Sequence, residues 1–468
     1  MEFELSNGSS KDSTFISSVI LEGVHNRYKL QVNLFQSLNI LHGQNGTGKT
    51  TLLHAIANMA NCDFLRFSYL SFSRIGIVYS NGNWVNITHS PEEYIVDCAS
   101  GDSFRFTHAQ AIETLRINED DRIRLEHPPE LIQKQRDFSE KNGLRIAKTS
   151  YFPAFRTMLE AWSAQIDDER HMPSRGRNHY VTRRVTSFSR NIFGKFLPVI
   201  NFPSPLDIEE SLRMEIREAQ LKIGRYDSTV FTDSFVKVFS ALLSPSKSDA
   251  EDAERVLQEI SDLASGSPGD AVLDIEGPTQ GAYHQLKSLI NSGGQQQQLT
   301  SSAVGALIVY RNALRERKAF QEKIFLEINK YFEAVNAFLD KKELKYNIDP
   351  NRRLPRVGLK FPDNSWSSIK VMSSGERQLL TMLYAVTKMN EDSLVLIDEP
   401  EISLHIDWQE DLLEKMMSQL ENRQIIVCTH SPSVAAGYGD YMIEITPDFE
   451  LVSTAPEANS SDDDEELI

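Results

Sequence analysis

Hydrophobic and polar positions along this 468-residue chain fall into distinct periods that predict its elements. From Phe15 to Leu41 the stretches FISSVILEG, YKLQVNL and SLNILHG read as two or three strands. Arg74 to Thr88 alternates around Ser80-Asn81-Gly82-Asn83, the pattern of a β-hairpin with a tight turn. Ser150 to Arg156 is a short apolar strand. Leu394-Val395-Leu396-Ile397 is a continuous apolar run bounded by turn-formers, as expected of a parallel strand covered on both faces. Helical spacing appears at Leu52, Leu53, Ala55, Ile56 and Met59, and again at Leu379, Leu380, Met382, Leu383, Ala385 and Val386, after the small-residue turn Ser373-Ser374-Gly375-Glu376. Residues 207–243 read as helix. Between 244 and 281 an acidic helix gives way to a Gly/Pro/Ser-rich loop, and NSGGQQQQ from Asn291 is of low complexity. The longest helical pattern, Ala303 to Lys342, would extend about 50–60 Å. LKYNID, RVGLKF and SSIK then return to strands, while 89–148 reads as loops and short helices.

These elements predict an α/β protein whose sheet-forming halves lie far apart in the chain. The expected divisions are a disordered leader (1–14), an N-terminal half (15–150), a mostly helical insert (151–342), a C-terminal half (343–446) and an acidic disordered tail (447–468). No fused nuclease is expected after Ile445, so any cleavage would belong to another chain.

Charge and cysteine content narrow the class. The net charge is −17, with five negatives in the tail at Asp462 to Glu466, which argues against a surface built for non-specific nucleic-acid binding. One segment runs the other way. His171 to Leu206 has no acidic residue and carries Arg175, Arg177, Arg183, Arg184, Arg190 and Lys195 among Tyr180, Phe188, Phe193 and Phe196. Such interleaving suits a DNA backbone or an acidic partner, and equally suits an intrachain contact or a solvated face. Cys62, Cys98 and Cys428 have no paired spacing, which fits a reducing compartment. No apolar run approaches the length of a membrane span, so a soluble cytoplasmic protein is expected.

The chemistry concentrates in two places. Gly43-Gln44-Asn45-Gly46-Thr47-Gly48-Lys49-Thr50 matches G-x-x-x-x-G-K-[ST] at every position, after a predicted strand and before a predicted helix. Backbone N–H groups of such a loop close around phosphate, the helix N-terminus adds its dipole, and Thr51 continues the first turn. Lys49 would reach the β- and γ-phosphates, and Thr50 would hold Mg2+. The second place is Asp398-Glu399 at the carboxyl end of the apolar strand, where open α/β sheets bind ligands. Adjacent carboxylates are costly unless a cation uses them; Mg2+ on a nucleotide is the obvious one.

Together these stretches resemble ABC-type ATPase heads of the SMC and RecF-like branch of the AAA ATP-binding superfamily. Met372-Ser373-Ser374-Gly375-Glu376 is similar to the signature LSGGE/Q, and Leu394 to Glu399 to Walker B with its catalytic glutamate. Glu401 to His405 resembles the D-loop, with His405 in place of the usual Asp, and Ile425 to His430 a strand ending in the switch histidine. The resemblance covers roughly 15–90 and 345–446, and implies a mixed sheet flanked by helices with an antiparallel β subdomain, interrupted by the helical insert.

The resemblance also implies a set of roles. ATP and Mg2+ are the cofactors. Asp398 and Thr50 hold the metal, Glu399 activates water, and His430 holds the γ-phosphate in register. Ser373 and Gly375 cap the nucleotide held by Lys49 of a second copy, giving an ATP-sandwiched homodimer. In the His25-Asn26-Arg27-Tyr28 turn, Arg27 contacts phosphate and Tyr28 stacks on adenine, or the turn is simply a hairpin with a core tyrosine. No Gln stands at the Q-loop position, Gln165 being nearest; Arg156 senses the γ-phosphate there or forms a structural ion pair. His405 serves the interface or simple packing. The compact head also resembles ATPase subunits of PARIS-type and Septu-type antiphage systems, which implies a sensor or scaffold controlling a separate nuclease or toxin. RecF-like DNA repair is the alternative, and a membrane partner is not expected.

Overall fold

A computed structural model describes residues 14–120, 127–145, 148–156, 174–200, 203–243, 253–264, 301–347, 355–388, 393–419 and 423–449. The low-complexity stretch from Asn291, Gln165 and the residues expected as leader and tail, apart from Thr14 and 447–449, lie outside these. The chain divides into two compact units, residues 1–202 with 388–468, and residues 203–387.

The first unit opens with β1 (Ile16–Val24), β2 (Tyr28–Asn33) and β3 (Leu38–His42), followed by helix α1 (Lys49–Ala60). Strands β4 (Arg74–Tyr79) and β5 (Trp84–His89) pair antiparallel around the Ser80–Asn83 turn, where Gly82 adopts the left-handed φ of 83° that the turn requires. The stretch expected as loops and short helices contains two further strands, β6 (Tyr94–Cys98) and β7 (Ser103–Phe106), and two twelve-residue helices, α2 (His108–Glu119) and α3 (Glu130–Lys141). The physical reason is visible in β6: Tyr94, Val96 and Cys98 are buried on alternate positions while Ile95 and Asp97 are only half-buried, a period of two inside polar flanks. Strand β8 (Lys148–Phe152) and helix α4 (Ser174–Phe193) complete this stretch.

The second unit is led by three helices, α5 (Pro205–Leu243), α6 (Ala253–Ala264) and α7 (Ser301–Asn336). α7 has 36 residues and so spans roughly 54 Å. Tyr226 of α5 stacks on Phe320 of α7 at 3.8 Å, and Asp227 pairs with Arg317 at 3.0 Å. A three-stranded antiparallel sheet of β9 (Glu343–Asn347), β10 (Arg356–Lys360) and β11 (Trp366–Ser367) follows, then helix α8 (Ser374–Lys388). The unit's limits differ from the expected insert. The signature turn and α8 cluster with 203–387, whereas α4 belongs to the first unit, where Val185, Leu197 and Ile200 join its core.

The chain returns to the first unit as β12 (Ser393–Asp398), α9 (Ile406–Gln419), β13 (Gln424–Cys428), β14 (Met442–Glu444) and β15 (Asp448–Phe449). Two sheets result. One is an all-parallel five-stranded sheet in the order β14-β3-β13-β12-β8; the other is an antiparallel seven-stranded sheet in the order β15-β2-β1-β4-β5-β6-β7. β12 lies between β13 and β8, and its Leu394 to Ile397 are almost wholly buried, as an apolar run covered on both faces should be. Gln424 ties the two sheets: its Nε2 donates to the carbonyls of Ile16 and Phe35, and its Oε1 accepts from the Ile16 N–H. The carboxyl ends of β3, β12 and β13 therefore emerge side by side, which sets the position of the site.

Candidate nucleotide site

The loop between β3 and α1 is bent by glycine. Gly46 and Gly48 adopt φ of 83° and 87°, which a side chain would strain, and Gly48 caps α1. α1 has no acidic residue in its first turn, so the N–H groups at its start, which have no intrahelical acceptor, face the loop with their dipole uncancelled. Lys49 is buried, and its Nζ donates to the carbonyls of Gly43 at 3.0 Å and Gln44 at 2.9 Å. The Thr47 hydroxyl donates to the Gln44 carbonyl, closing the loop further.

A cleft of about 420 Å3 opens over this loop. Its lining takes in residues 45–51 together with Asp398, Glu399, Cys428 and His430. Leu21, Val24, His25, Tyr28, Leu30 and Pro447 line it too. The cleft therefore combines donors and carboxylates with apolar side chains, the mixture a nucleotide requires. Arg27 is exposed and is not in this lining. The turn holds His25 and Asn26 at positive φ, and from it His25 and Tyr28 face the cleft instead.

Asp398 ends β12 and is buried; its Oδ2 accepts from the Thr50 hydroxyl at 3.0 Å, across 348 residues of sequence. Burial raises its carboxyl to about 6, with the Thr50 hydrogen bond opposing, Glu399 adding to the rise, Arg156 opposing and Glu401 adding. Cys428 also faces the cleft, and burial pushes its thiol up, so it stands there as a neutral group. Glu399 lies just past the strand end, in the left-handed region at φ 48°. That conformation costs a non-glycine residue about 1–2 kcal/mol and persists only where surroundings hold it. Three bonds hold its backbone: the N–H donates to the Cys428 carbonyl at 2.8 Å, and the carbonyl accepts from Arg156 at 3.1 Å and from the Ile402 N–H at 3.2 Å.

Arg156 is 1% exposed. Its guanidinium donates to the carbonyls of Pro153, Asp398, Glu399, Pro400 and Ile402. It stands just past the end of β8, outside the cleft lining, and reaches the Asp398 and Glu399 backbone from behind the strand end. On the far side, the Glu401 carboxylate accepts from the His430 N–H at 2.8 Å and the Thr429 hydroxyl at 3.0 Å. Gln409 of α9 donates to the Glu401 and Leu404 carbonyls and accepts from Ser431. His430, itself exposed, is thus carried on a strand end fixed by a third carboxylate. The roles of Arg156 and Glu401 escape sequence reasoning. The only signals in the sequence are an arginine in the apolar stub SYFPAFR and a third acid two residues after Glu399.

Ser373 lies in the second unit and caps α8. Its Oγ accepts from the Glu376 N–H at 3.3 Å while Glu376 Oε2 accepts from the Ser373 N–H at 2.7 Å, a reciprocal capping box. Gly375 is in that first turn, and Lys342 holds Glu376 at 2.9 Å. His405 is exposed ahead of α9, 3.3 Å from Asp407.

The basic segment changes character on folding. Arg190 is buried, pairs with Glu119 at 2.8 Å and donates to the Leu197 carbonyl, and Glu119 also pairs with Arg66 at 2.7 Å. Burial, with Arg66 adding repulsion, lowers Arg190 to about 10. It is therefore an internal contact and not part of a DNA-facing surface, because its charge is consumed by Glu119 and Asp63. Arg183 is exposed and donates to the Asn118 carbonyl; Arg184 and Lys195 are half-buried, and Arg175 and Arg177 fall in the first turn of α4.

A family model described as "AAA domain, putative AbiEii toxin, Type IV TA system" matches residues 194–436, just over half of the chain. A second, "ATPase family associated with various cellular activities (AAA)", matches residues 39–89 and so takes in the glycine loop. The chain is 27% identical over 259 residues to "Retron Ec83 probable ATPase" of Escherichia coli, covering 50% of this chain and 43% of that protein. It is also 27% identical over 146 residues to "Retron Vc95 probable ATPase" of Vibrio cholerae serotype O1 biovar El Tor, covering 29% and 27%. It therefore spans less than half the length of either relative. The Smc head domain of Pyrococcus furiosus, with an extended coiled coil and bound to the C-terminal domain of ScpA, aligns over 93% of this chain and 96% of its own at 14% identity, with a TM-score of 0.39. With a family match over more than half its length and an AAA match across its glycine loop, the chain belongs to the AAA-domain family so described.

Proposed function

We propose that this ATPase works as a clamp: two copies close around two ATP molecules, and the closed or open state controls a separate effector in antiphage defence. The observation that carries the reading is a convergence. The glycine loop, Lys49, the Thr50–Asp398 pair, Glu399 and His430 come from separate stretches of sequence and line one cleft.

Magnesium fits the donor set. A buried carboxylate whose burial raises its pKa is relieved by a cation, and the Thr50 hydroxyl beside it supplies a second oxygen. Among the described residues no cluster of three or more His, Cys, Asp or Glu could hold a metal by itself. Few protein ligands, with phosphate and water supplying the rest, is how Mg2+ is usually bound on a nucleotide. Bound there, the ion would neutralise charge on the phosphates. Lys49 would exchange the Gly43 and Gln44 carbonyls for phosphate oxygens. Glu399 would orient and deprotonate the attacking water, and His430 would hold the γ-phosphate. Positioning and electrostatics carry most of such a reaction. The apolar lining residues, with Tyr28, would receive the base. Ser373, fixed on its capping box, would reach the nucleotide of the other copy.

The family description places such domains in a type IV toxin–antitoxin system, and the similar retron proteins are probable ATPases, which supports a multi-component system as the setting. The test uses Glu399→Gln with ATP and Mg2+. Sedimentation should show a dimer that Lys49→Ala does not form, and a pull-down from the native cells should return a stoichiometric nuclease or toxin. A monomer with ATP sinks the clamp. Recovery of DNA alone, with DNA-stimulated turnover steep in salt, would replace the effector reading by a repair one.

A further inference from the structure

We propose that Arg156 is a positioning residue for hydrolysis, holding the backbone of the Glu399 turn so that its carboxylate points into the cleft. The inference rests on the reading of Glu399 as the residue that activates water. Arg156 Nη1 donates to the Pro153 carbonyl at 3.2 Å and the Asp398 carbonyl at 3.1 Å. Nη2 donates to Glu399 at 3.1 Å, Pro400 at 3.0 Å and Ile402 at 3.3 Å. One guanidinium therefore staples the end of β8 to four carbonyls at the end of β12 and in the turn after it.

Three observations make this more than packing. First, the turn needs holding: Glu399 at φ 48° and Ser403 at φ 67° both occupy the left-handed region. Second, the chemistry of the clamp is specific to arginine. Only a planar fork of donors can serve carbonyls that diverge along a turn; the lysine ammonium offers three donors from one point. Third, a cation is costly to bury, and a neutral donor would suffice to tie two strands together. Here the guanidinium donates to the carbonyls of Asp398 and Glu399, whose side chains are the carboxylates lining the cleft, and its charge acts on Asp398.

The experiment measures ATP affinity and turnover separately for Arg156→Lys and Arg156→Met in the full chain, with Glu399→Gln and the Arg156→Lys/Glu399→Gln double variant as controls. Arg156→Lys should bind ATP within about threefold of wild type, while kcat falls by roughly 10–100-fold, a loss confined to the transition state. Adding guanidinium ion at millimolar concentration should recover part of the kcat of Arg156→Met. The double variant should turn over no more slowly than Glu399→Gln alone, because the two residues act on one step. If Arg156→Met does not fold, the Lys variant and the double variant still decide the matter. Wild-type kcat in Arg156→Lys, or an equal loss of affinity and turnover, overturns the proposal. Undiminished turnover in Glu399→Gln instead sinks the underlying assignment of Glu399, and the two failures are thereby told apart.

Discussion

Replacing Asp398 by Asn should make the nucleotide-free protein more stable and the enzyme inactive. Asn preserves the size of the side chain and an oxygen for the Thr50 hydroxyl, now 3.0 Å from Asp398 Oδ2, but removes the charge. Burial lifts the Asp398 carboxyl from the ordinary 3.8 to about 6. At about 1.4 kcal/mol per unit, the ionised group costs the empty fold about 3 kcal/mol at neutral pH. The sign follows from where the proton sits. Below the unfolded value both folded and unfolded chains are protonated, and Asp398 costs nothing. Between about 4 and about 6 the unfolded chain ionises while the fold keeps its proton, so stability falls with rising pH; above that the loss is complete. Thermal unfolding of wild type and Asp398→Asn, in chelator, should therefore coincide near pH 4 and separate by roughly 3 °C at pH 7.5 in favour of Asn. A gap that is the same at both pH values, or a less stable variant at neutral pH, would refute the reasoning. The reasoning extends to the proposed metal: if Asp398 helps hold Mg2+, adding Mg2+ with nucleotide should narrow or reverse the gap between the two proteins.

Four further outcomes are expected. Glu399→Gln should keep ATP affinity while phosphate release slows by roughly 10²–10⁴-fold, the usual worth of a general base, read in a steady-state phosphate assay. Lys49→Ala should abolish ATP binding in calorimetry, and tight binding in that variant would remove Lys49 from the cradle. Glu401→Ala strips the acceptor from the His430 N–H and Thr429, and should lower kcat by roughly tenfold or more, whereas Glu401→Gln, which keeps an acceptor, should retain most of it. Arg190→Met should lower stability by roughly 1–3 kcal/mol in chemical denaturation, since it leaves two half-buried carboxylates with Arg66 as their remaining arginine partner; any DNA affinity and its salt slope should be unchanged.

Much of the site was legible because its chemistry is local in the chain. The phosphate loop needs glycines, a lysine and a threonine at fixed spacing, and Gly43 to Thr50 carries all of them in one octapeptide. The β12 run needs only apolar residues and a terminal acid, so its place as an interior strand of a parallel sheet could be expected. Arg156 was harder: its partners are carbonyls up to 246 residues away, and carbonyls leave no trace in a sequence. Arg190 misled for a related reason. A stretch without acids looks like a surface for phosphate until Glu119 and Asp63, far upstream, arrive beside it. Strands β6 and β7 were hidden because each contributes only two or three buried positions between polar neighbours. Arg27 and Tyr28 differ by one position, and only the backbone of the turn decides that the cleft receives Tyr28.

The neighbours of β3 set a timetable for synthesis. Asn39 on that strand donates to the Ile425 carbonyl across 386 residues, and β13 and β14 both pair with β3. At elongation rates of about 5–20 residues per second, roughly 20–80 s separate the emergence of the two partners from the ribosome. Throughout that interval the glycine loop exists without Asp398, Glu399 or His430, and β3 shows two bare edges. A nascent chain therefore has the loop long before it has the rest of the cleft lining, which is completed only when β12 and β13 enter the sheet. Until then the bare edges of β3 are open to pairing with other strands.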